Sequence, residues 1–171
     1  MSVLSLQKLL KKIVKVFVKI NRSSFVPRLL GYLGLLPFII PTAFLFCDHH
    51  HFMVWRNLLI SYAAVILSFL GAVYWGVAMI VKEMTLTKRN VMLSWSVIPS
   101  IVAWICLLIP QVYGLVVMSV LFVVSFFMDI QLMKSEAKPA WYIPLRFQLT
   151  VVVTACLLTA AFLVKPMLIN A

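Results

Sequence analysis

The sequence predicts an all-α protein, an integral membrane bundle of five transmembrane helices preceded by a basic amphipathic interfacial helix. Of its 171 residues, 64% are hydrophobic and only 11% are charged, and the mean hydropathy is +1.11. A water-soluble domain of this size cannot bury so much apolar surface. Five apolar segments, each long enough to cross a bilayer, alternate with short polar segments. The length leaves room for one membrane domain, 25–171, after an N-terminal arm, 1–24.

The N-terminal arm is rich in lysine. Its lysines are separated by 3, 1, 3 and 4 residues, with apolar residues between them, and they are Lys8, Lys11, Lys12, Lys15 and Lys19. This pattern predicts a helix that lies on the membrane surface, where its lysines bind anionic headgroups. A run of Lys rather than Arg and Ser argues against a mitochondrial presequence. The net charge of +11 indicates no nucleic-acid partner, because the basic residues lie outside the apolar segments.

The five predicted spans are 29–47, 57–81, 91–109, 112–128 and 145–164. Pro37 and Pro41 each remove a helix hydrogen bond from the first span, so we expect a kink there. Gly31 and Gly34 in the same span are candidates for close packing against another helix.

The connection between the third and fourth spans is very short. Only Pro110 and Gln111 separate them, so the two spans are expected to form an antiparallel helical hairpin.

Small residues recur at four-residue spacing in the second span. They are Ala64, Ser68, Ala72 and Gly76. A stripe of small residues allows a neighbouring helix to approach closely in a membrane. The sequence therefore predicts that this stripe faces another helix.

Basic residues are distributed unequally between the two sides of the predicted bundle. Thirteen of the fifteen lie on the side of the N-terminus, and only Arg56 and Lys165 lie on the other. By the positive-inside rule, the N-terminus is predicted to be cytoplasmic and the C-terminus external. The expected location is a bacterial cytoplasmic (inner) membrane.

Polar and aromatic residues gather at the cytoplasmic ends of the predicted spans. The candidate ligand-binding residues are Arg28, Tyr74, Trp75, Trp95, Asp129, Trp141, Tyr142, Arg146 and Thr150. A polar stripe of Arg146, Thr150 and Thr154 should face protein rather than lipid. Asp129 and Arg146 are predicted to pair, since each lies at the inner end of its helix and the two helices are consecutive.

Two interpretations of these residues stay open. In the first, the aromatic residues form an interfacial belt and the arginines extend towards the headgroups. In the second, they frame a pocket for an anionic headgroup or an amphipathic ring compound.

A histidine cluster lies in the first external loop. It consists of His49, His50 and His51 after Cys47 and Asp48, which are residue types that bind transition metals. Adjacent histidines cannot all turn towards one ion, so a solvated polar loop is favoured and a metal site is the weaker alternative. No motif for catalysis or cofactor binding occurs, and the chain is predicted to be non-enzymatic and without a cofactor.

The chain resembles the domain-of-unknown-function 3429 family of small multi-pass membrane proteins, whose animal relatives are named transmembrane protein 69. The resemblance rests on the motifs Pro27-Arg28-x-x-Gly31-x-x-Gly34-Leu35-x-Pro37-Phe38, Tyr62-Ala63-x-Val65-Ile66-Leu67-Ser68-Phe69-Leu70-Gly71-Ala72-x-Tyr74-Trp75-Gly76, Trp95-x-x-x-Pro99-Ser100-x-x-x-Trp104 and Pro139-x-Trp141-Tyr142-x-x-Leu145-Arg146-x-x-Leu149-Thr150. The family often has His at the position of Tyr74. Its animal relatives make the mitochondrial inner membrane an alternative location.

Two functional hypotheses follow. In the first, the protein binds a lipid, an amphipathic small molecule or a partner helix at its cytoplasmic side. In the second, it is an accessory subunit of a membrane enzyme complex, with a membrane protein as its partner. The resemblance implies the fold and carries no activity.

Overall fold

The computed structural model describes residues 25–48, 50–132 and 139–169. The chain is all-α, and its described helices are α1 (Phe25–Leu33), α2 (Leu36–Cys47), α3 (Phe52–Ile80), α4 (Leu86–Leu108), α5 (Gln111–Leu132) and α6 (Tyr142–Ile169). This confirms the predicted fold class. The predicted amphipathic helix of the N-terminal arm lies outside the described residues.

Five segments are long and apolar enough to cross a membrane, as predicted. They are Phe25–Cys47, Phe52–Ile80, Leu86–Leu108, Val112–Leu132 and Tyr142–Leu163. The second, third and fifth begin three to five residues earlier than the sequence analysis placed them, because polar residues such as Arg56 and Arg89 continue the helices beyond the apolar core. A charged residue near the end of a membrane helix does not by itself end the helix.

A turn interrupts the first span just before its two prolines. Gly34 and Leu35 form the turn between α1 and α2, and Pro37 lies in the first turn of α2, where a missing N–H leaves no helix bond unmade. Pro41 lies inside α2 and is buried. The chain divides into two compact units between Leu33 and Gly34, so α1 belongs to the first unit and α2 to α6 belong to the second.

Helix α3 occupies the centre of the second unit, since it packs against α2, α4, α5 and α6. Most core-facing residues of α3 lie three or four residues apart, which keeps them on one side of a helix with 3.6 residues per turn. They are Phe52, Arg56, Leu59, Ile60, Ala63, Ala64, Leu67, Gly71, Tyr74 and Ala78.

The predicted packing stripe of α3 is wrong beyond its first residue. Ala64 is buried, but Ser68, Ala72 and Gly76 are exposed in the described part of the chain. Each four-residue step turns about 40° beyond a full rotation, so the stripe drifts by about 120° between Ala64 and Gly76. Residues at a strict four-residue spacing therefore move off the side of α3 that packs against other helices.

The close approach between helices occurs at glycines outside that stripe. A Cβ atom on Gly71 would overlap the carbonyl oxygen of Ser96 on α4, and one on Gly114 would lie 2.5 Å from the carbonyl oxygen of Cys106. Gly71 therefore lets α3 and α4 pack backbone to backbone. Gly114 lets α5 fold against α4, and the predicted helical hairpin of these two spans is confirmed.

We predict that Gly71→Ala destabilises the protein by about 1–3 kcal/mol, because the added methyl group must push α4 away from α3. Gly76→Ala is the matched control, since a Cβ atom at that position meets nothing within 4 Å. This control should leave stability unchanged or raise it by up to about 1 kcal/mol through helix propensity. Thermal unfolding in detergent measures both, and equal melting temperatures for the two variants would contradict the packing of α3 on α4.

Candidate functional site

Asp129 is a carboxylate buried between helices. It lies in the last turn of α5, and its residue surface is only 2% exposed. An isolated charge is costly in an apolar interior unless cations or hydrogen-bond donors surround it. The arrangement around Asp129 meets this requirement.

Two helices supply partners to the two carboxylate oxygens of Asp129. From α3, the hydroxyl of Tyr74 donates a hydrogen bond to Oδ1. From α6, Nε of Arg146 donates to Oδ2 at 2.6 Å. Tyr74 is 1% exposed and Arg146 is 7% exposed, so the group is closed off by protein. The predicted pairing of Asp129 with Arg146 is confirmed.

Tyr142, the first residue of α6, joins this group. Its phenol lies within electrostatic reach of both Asp129 and Arg146, and its ring packs with Tyr74 in a small apolar cluster. We call Tyr74, Asp129, Tyr142 and Arg146 the charged cluster. It joins α3, α5 and α6 at the end of the bundle where α3 and α5 end and α6 begins.

Several polar atoms beside the charged cluster are buried without a hydrogen-bond partner among the described residues. They are Nη2 of Arg146 and the hydroxyl oxygens of Ser125, Thr150 and Thr154. Buried polar atoms in proteins nearly always have a partner. Several other serine and threonine hydroxyls bond to carbonyls of their own helix, as Ser119 does to Leu115 at 2.8 Å. These four atoms therefore each have hydrogen-bonding capacity that the described residues do not use.

The register of α5 and α6 places two of these hydroxyls opposite each other. Asp129 near the end of α5 pairs with Arg146 near the start of α6, so the two helices are antiparallel. Ser125 lies one turn before Asp129, and Thr150 lies one turn after Arg146. Both positions are one turn deeper in the bundle than the ion pair, and both residues are buried.

A groove of about 410 Å³ opens next to the charged cluster. Its lining comes from α4 and α5 and consists of Thr87, Asn90, Val91, Ser94, Trp95, Ile98 and Met128. Trp95 and Met128 also pack in the apolar cluster around Tyr74. The indole nitrogen of Trp95 is buried with no hydrogen-bond partner within the described residues. The groove therefore shares two side chains with the surroundings of the charged cluster.

Three further predicted site residues are not members of the charged cluster. Trp75 is 50% exposed and its indole N–H contacts the sulfur of Met79 on its own helix, because a residue next to the buried Tyr74 points about 100° away from it. Arg28 lies exposed on α1, in the first unit. Trp141 precedes α6, is half-buried, and contacts the ring of Tyr142 edge to face.

Sequence reasoning missed two functional candidates. One of them is Ser125. Its position one turn before Asp129 and opposite Thr150 could have identified it from the sequence. The other was Arg56, which was treated only as a charge on the external side. It lies on the core-facing side of α3 and is 9% exposed.

The loop between α2 and α3 is held together by Asp48. Its carboxylate accepts hydrogen bonds from the indole N–H of Trp55 at 3.1 Å and from the backbone N–H of His51 at 3.2 Å. The Trp55 bond, with those of His51, holds the pKa of the Asp48 carboxyl below its ordinary value. These contacts close the loop at the end of the bundle opposite the charged cluster.

The possible metal site lies in the same loop. No group of three metal-ligating side chains occurs within 25–48, 50–132 and 139–169. The ring Nδ1 of His51 lies 2.9 Å from Asp48, His50 is exposed, and His49 lies outside the described residues. The metal site stays a weak hypothesis.

The comparisons with known proteins identify a family. Residues 24–162 match the model of a family described as Protein of unknown function (DUF3429), and this match covers most of the chain. The chain belongs to this family. No curated protein and no solved structure gives a significant match. The family assignment agrees with the resemblance seen in the motifs, and it leaves the activity to be inferred from the site.

We predict that the charged cluster behaves as one coupled unit. Asp129→Ala and Arg146→Ala should each cost about 3–5 kcal/mol of stability, because each leaves the other charge buried and unpaired. Tyr74→Phe removes one hydrogen bond and should cost about 1–3 kcal/mol. The double variant of Asp129 and Arg146 should cost less than the sum of the two single losses. Unfolding in detergent measures this cycle, and additive losses would show that the two side chains do not pair.

Proposed function

We propose that this protein is a non-enzymatic membrane protein that binds the polar head of a lipid or another amphipathic molecule beside its charged cluster. The observation that supports the proposal is the set of buried atoms of Ser125, Arg146 and Thr150 that have no hydrogen-bond partner in the described parts of the chain. A guanidinium N–H and two hydroxyls within two helical turns suit a hydrogen-bond acceptor. Leaving such atoms unsatisfied destabilises a protein by about 1–3 kcal/mol each.

The charge balance of the site favours a neutral acceptor over an anion. Asp129 contacts Arg146 at 2.6 Å and cancels most of the positive charge that an anionic headgroup would need. A carbonyl oxygen of a lipid ester or of an amphipathic ring compound carries no net charge and still accepts hydrogen bonds. We therefore propose that this end of the bundle binds a neutral carbonyl group in preference to a phosphate.

The groove beside Trp95 suits the apolar part of such a molecule. Val91, Ile98 and Met128 contribute apolar side chains to its lining, while Asn90 and Ser94 contribute polar ones. Pockets that bind small molecules combine a mostly apolar lining with a few polar groups. The Trp95 indole N–H, for which the described part of the chain supplies no acceptor, offers one further hydrogen bond to the ligand.

We predict that Ser125→Ala and Thr150→Val each lower occupancy by a co-purifying amphipathic molecule about tenfold, because each removes one buried hydrogen bond from the ligand. Native mass spectrometry of gently solubilised protein measures the occupancy. Ser68→Ala is the matched control, since Ser68 is exposed and its hydroxyl bonds to the Ala64 carbonyl of its own helix. This control should leave occupancy unchanged.

Stability separates ligand binding from a purely structural role. In delipidated protein, Ser125→Ala and Thr150→Val should leave stability unchanged or raise it, because each removes an unsatisfied buried hydroxyl. Equal losses of stability with and without the bound molecule would contradict the proposal. A co-purifying protein in place of a small molecule would favour the alternative role, an accessory subunit of a membrane enzyme complex.

The proposed location is the cytoplasmic membrane of a bacterium, with the charged cluster at the cytoplasmic side. The support is the distribution of basic residues, thirteen of fifteen on one side. We predict that reporters inserted at His50 or fused to the C-terminus are external and that one inserted at Glu83 is cytoplasmic. Accessibility of these reporters in intact cells measures the orientation, and a cytoplasmic C-terminus would contradict a five-span topology with the N-terminus inside.

A further inference from the structure

Arg56 lies at the opposite end of the bundle from the charged cluster, on the face of α3 that packs against other helices. Phe52, Leu59 and Ile60 lie one turn before and one turn after it on the same side, and each is at least 95% buried. A lipid-facing arginine would lie among exposed residues and extend its side chain to the interface. Arg56 instead is 9% exposed.

The guanidinium of Arg56 has no carboxylate partner among the described residues. Its Nη2 contacts the sulfur of Met53 at 2.8 Å, its Cζ lies 6.0 Å from the centre of the Phe52 ring, and its Nε is buried without a hydrogen-bond partner. A thioether sulfur is a weak acceptor. A buried cation with only these contacts lacks the compensation that charge burial requires.

The acidic residues in the described parts of the chain do not supply that compensation, and Glu136 lies outside those parts. The sequence has four, which are Asp48, Glu83, Asp129 and Glu136. Asp48 lies at the same end as Arg56, and its oxygens accept from Trp55 and His51. Asp129 is paired with Arg146 at the other end, and Glu83 lies in the connection between α3 and α4.

We propose that Arg56 binds a phosphate group at this end of the bundle and that the phosphate belongs to a membrane phospholipid. A guanidinium binds phosphate oxygens through short, charge-assisted hydrogen bonds. Arg56 is the fifth residue of α3, so its Cα lies about 6 Å from the start of the helix. This depth is within reach of the headgroup layer that flanks the apolar core of a bilayer.

The phosphate site is distinct from the carbonyl-binding site proposed beside the charged cluster. Arg146 has Asp129 as a counter-ion, whereas Arg56 has none within the described parts of the chain. An unpaired cation favours an anion, and a paired one favours a neutral acceptor. The two ends of one bundle are thus suited to different polar groups.

The test compares two lipids that differ in phosphate. Purified, delipidated protein in detergent is supplied with phosphatidylglycerol or with a diacylglycerol glycolipid that has no phosphate, and the melting temperature and the lipid affinity are measured. The wild-type protein should bind phosphatidylglycerol more tightly than the glycolipid. Arg56→Gln should weaken phosphatidylglycerol binding about tenfold and leave glycolipid binding unchanged. Arg56→Lys, which keeps the charge, should bind with intermediate affinity.

Two control variants exclude general effects. Met53→Leu removes the sulfur contact of Arg56 and retains a side chain of similar size, so phosphatidylglycerol binding should persist. Lys82→Gln removes one exposed basic residue at the other end of α3, and it should change the affinity by less than about twofold. If Arg56→Gln unfolds the protein, Arg56→Lys with these two controls provides the comparison.

Three outcomes would overturn the proposal. Equal binding of the two lipids by the wild-type protein would show that phosphate is not recognised. Equal losses of phosphatidylglycerol affinity in Arg56→Gln and Lys82→Gln would show that only the net charge of the protein matters. In a detergent that contains no phosphate, inorganic phosphate could stabilise the wild-type protein while phosphatidylglycerol has no effect. This result would show that Arg56 binds a free phosphate ion and not a lipid.

Discussion

The burial of one carboxylate constrains the packing of half the bundle. Asp129 is held by Tyr74 of α3 and Arg146 of α6, so the interaction fixes the relative position of three helices at one end. Sliding α5 along α6 by one turn would separate the two charges and leave both in an apolar interior. Apolar side chains alone impose a weaker constraint on such a shift, because one aliphatic contact replaces another at little cost.

The same interaction explains why the nearby atoms are open to a ligand. Nε of Arg146 donates to Asp129, but the guanidinium has further donors, and Nη2 is buried with no acceptor among the described residues. The ion pair thus holds Arg146 in a fixed orientation beside Ser125 and Thr150. A donor set that is already ordered binds an acceptor without a further loss of side-chain entropy. Arg56, which lacks such a partner, retains its positive charge for an anion.

The sequence predicted those features of the fold that depend on chain length and on scarce residues. Five spans follow from runs of about twenty apolar residues. The turn at Pro110 is so short that α4 and α5 must pack beside each other as a hairpin. The pairing of Asp129 with Arg146 could be predicted because few charges occur in the spans, and a buried acid must find one of them. The match of residues 24–162 to a family model agrees with the motifs that carried the resemblance.

The orientation of each helix about its own axis could not be predicted in the same way. In a soluble protein a polar face reveals the side that meets water, but in a membrane both the lipid face and the packed face are apolar. The small residues of α3 therefore gave no reliable direction, and the exposed Gly76 was assigned to the core while Gly71 makes the close contact. For the same reason, the apolar pattern does not distinguish whether Tyr74 or Trp75 faces the core. Only the polar atoms distinguish the two faces, since Tyr74 must reach Asp129 whereas the Trp75 indole contacts the sulfur of Met79 on its own helix. In such a chain the rare buried polar groups determine how the helices face one another, and the apolar majority adapts to them.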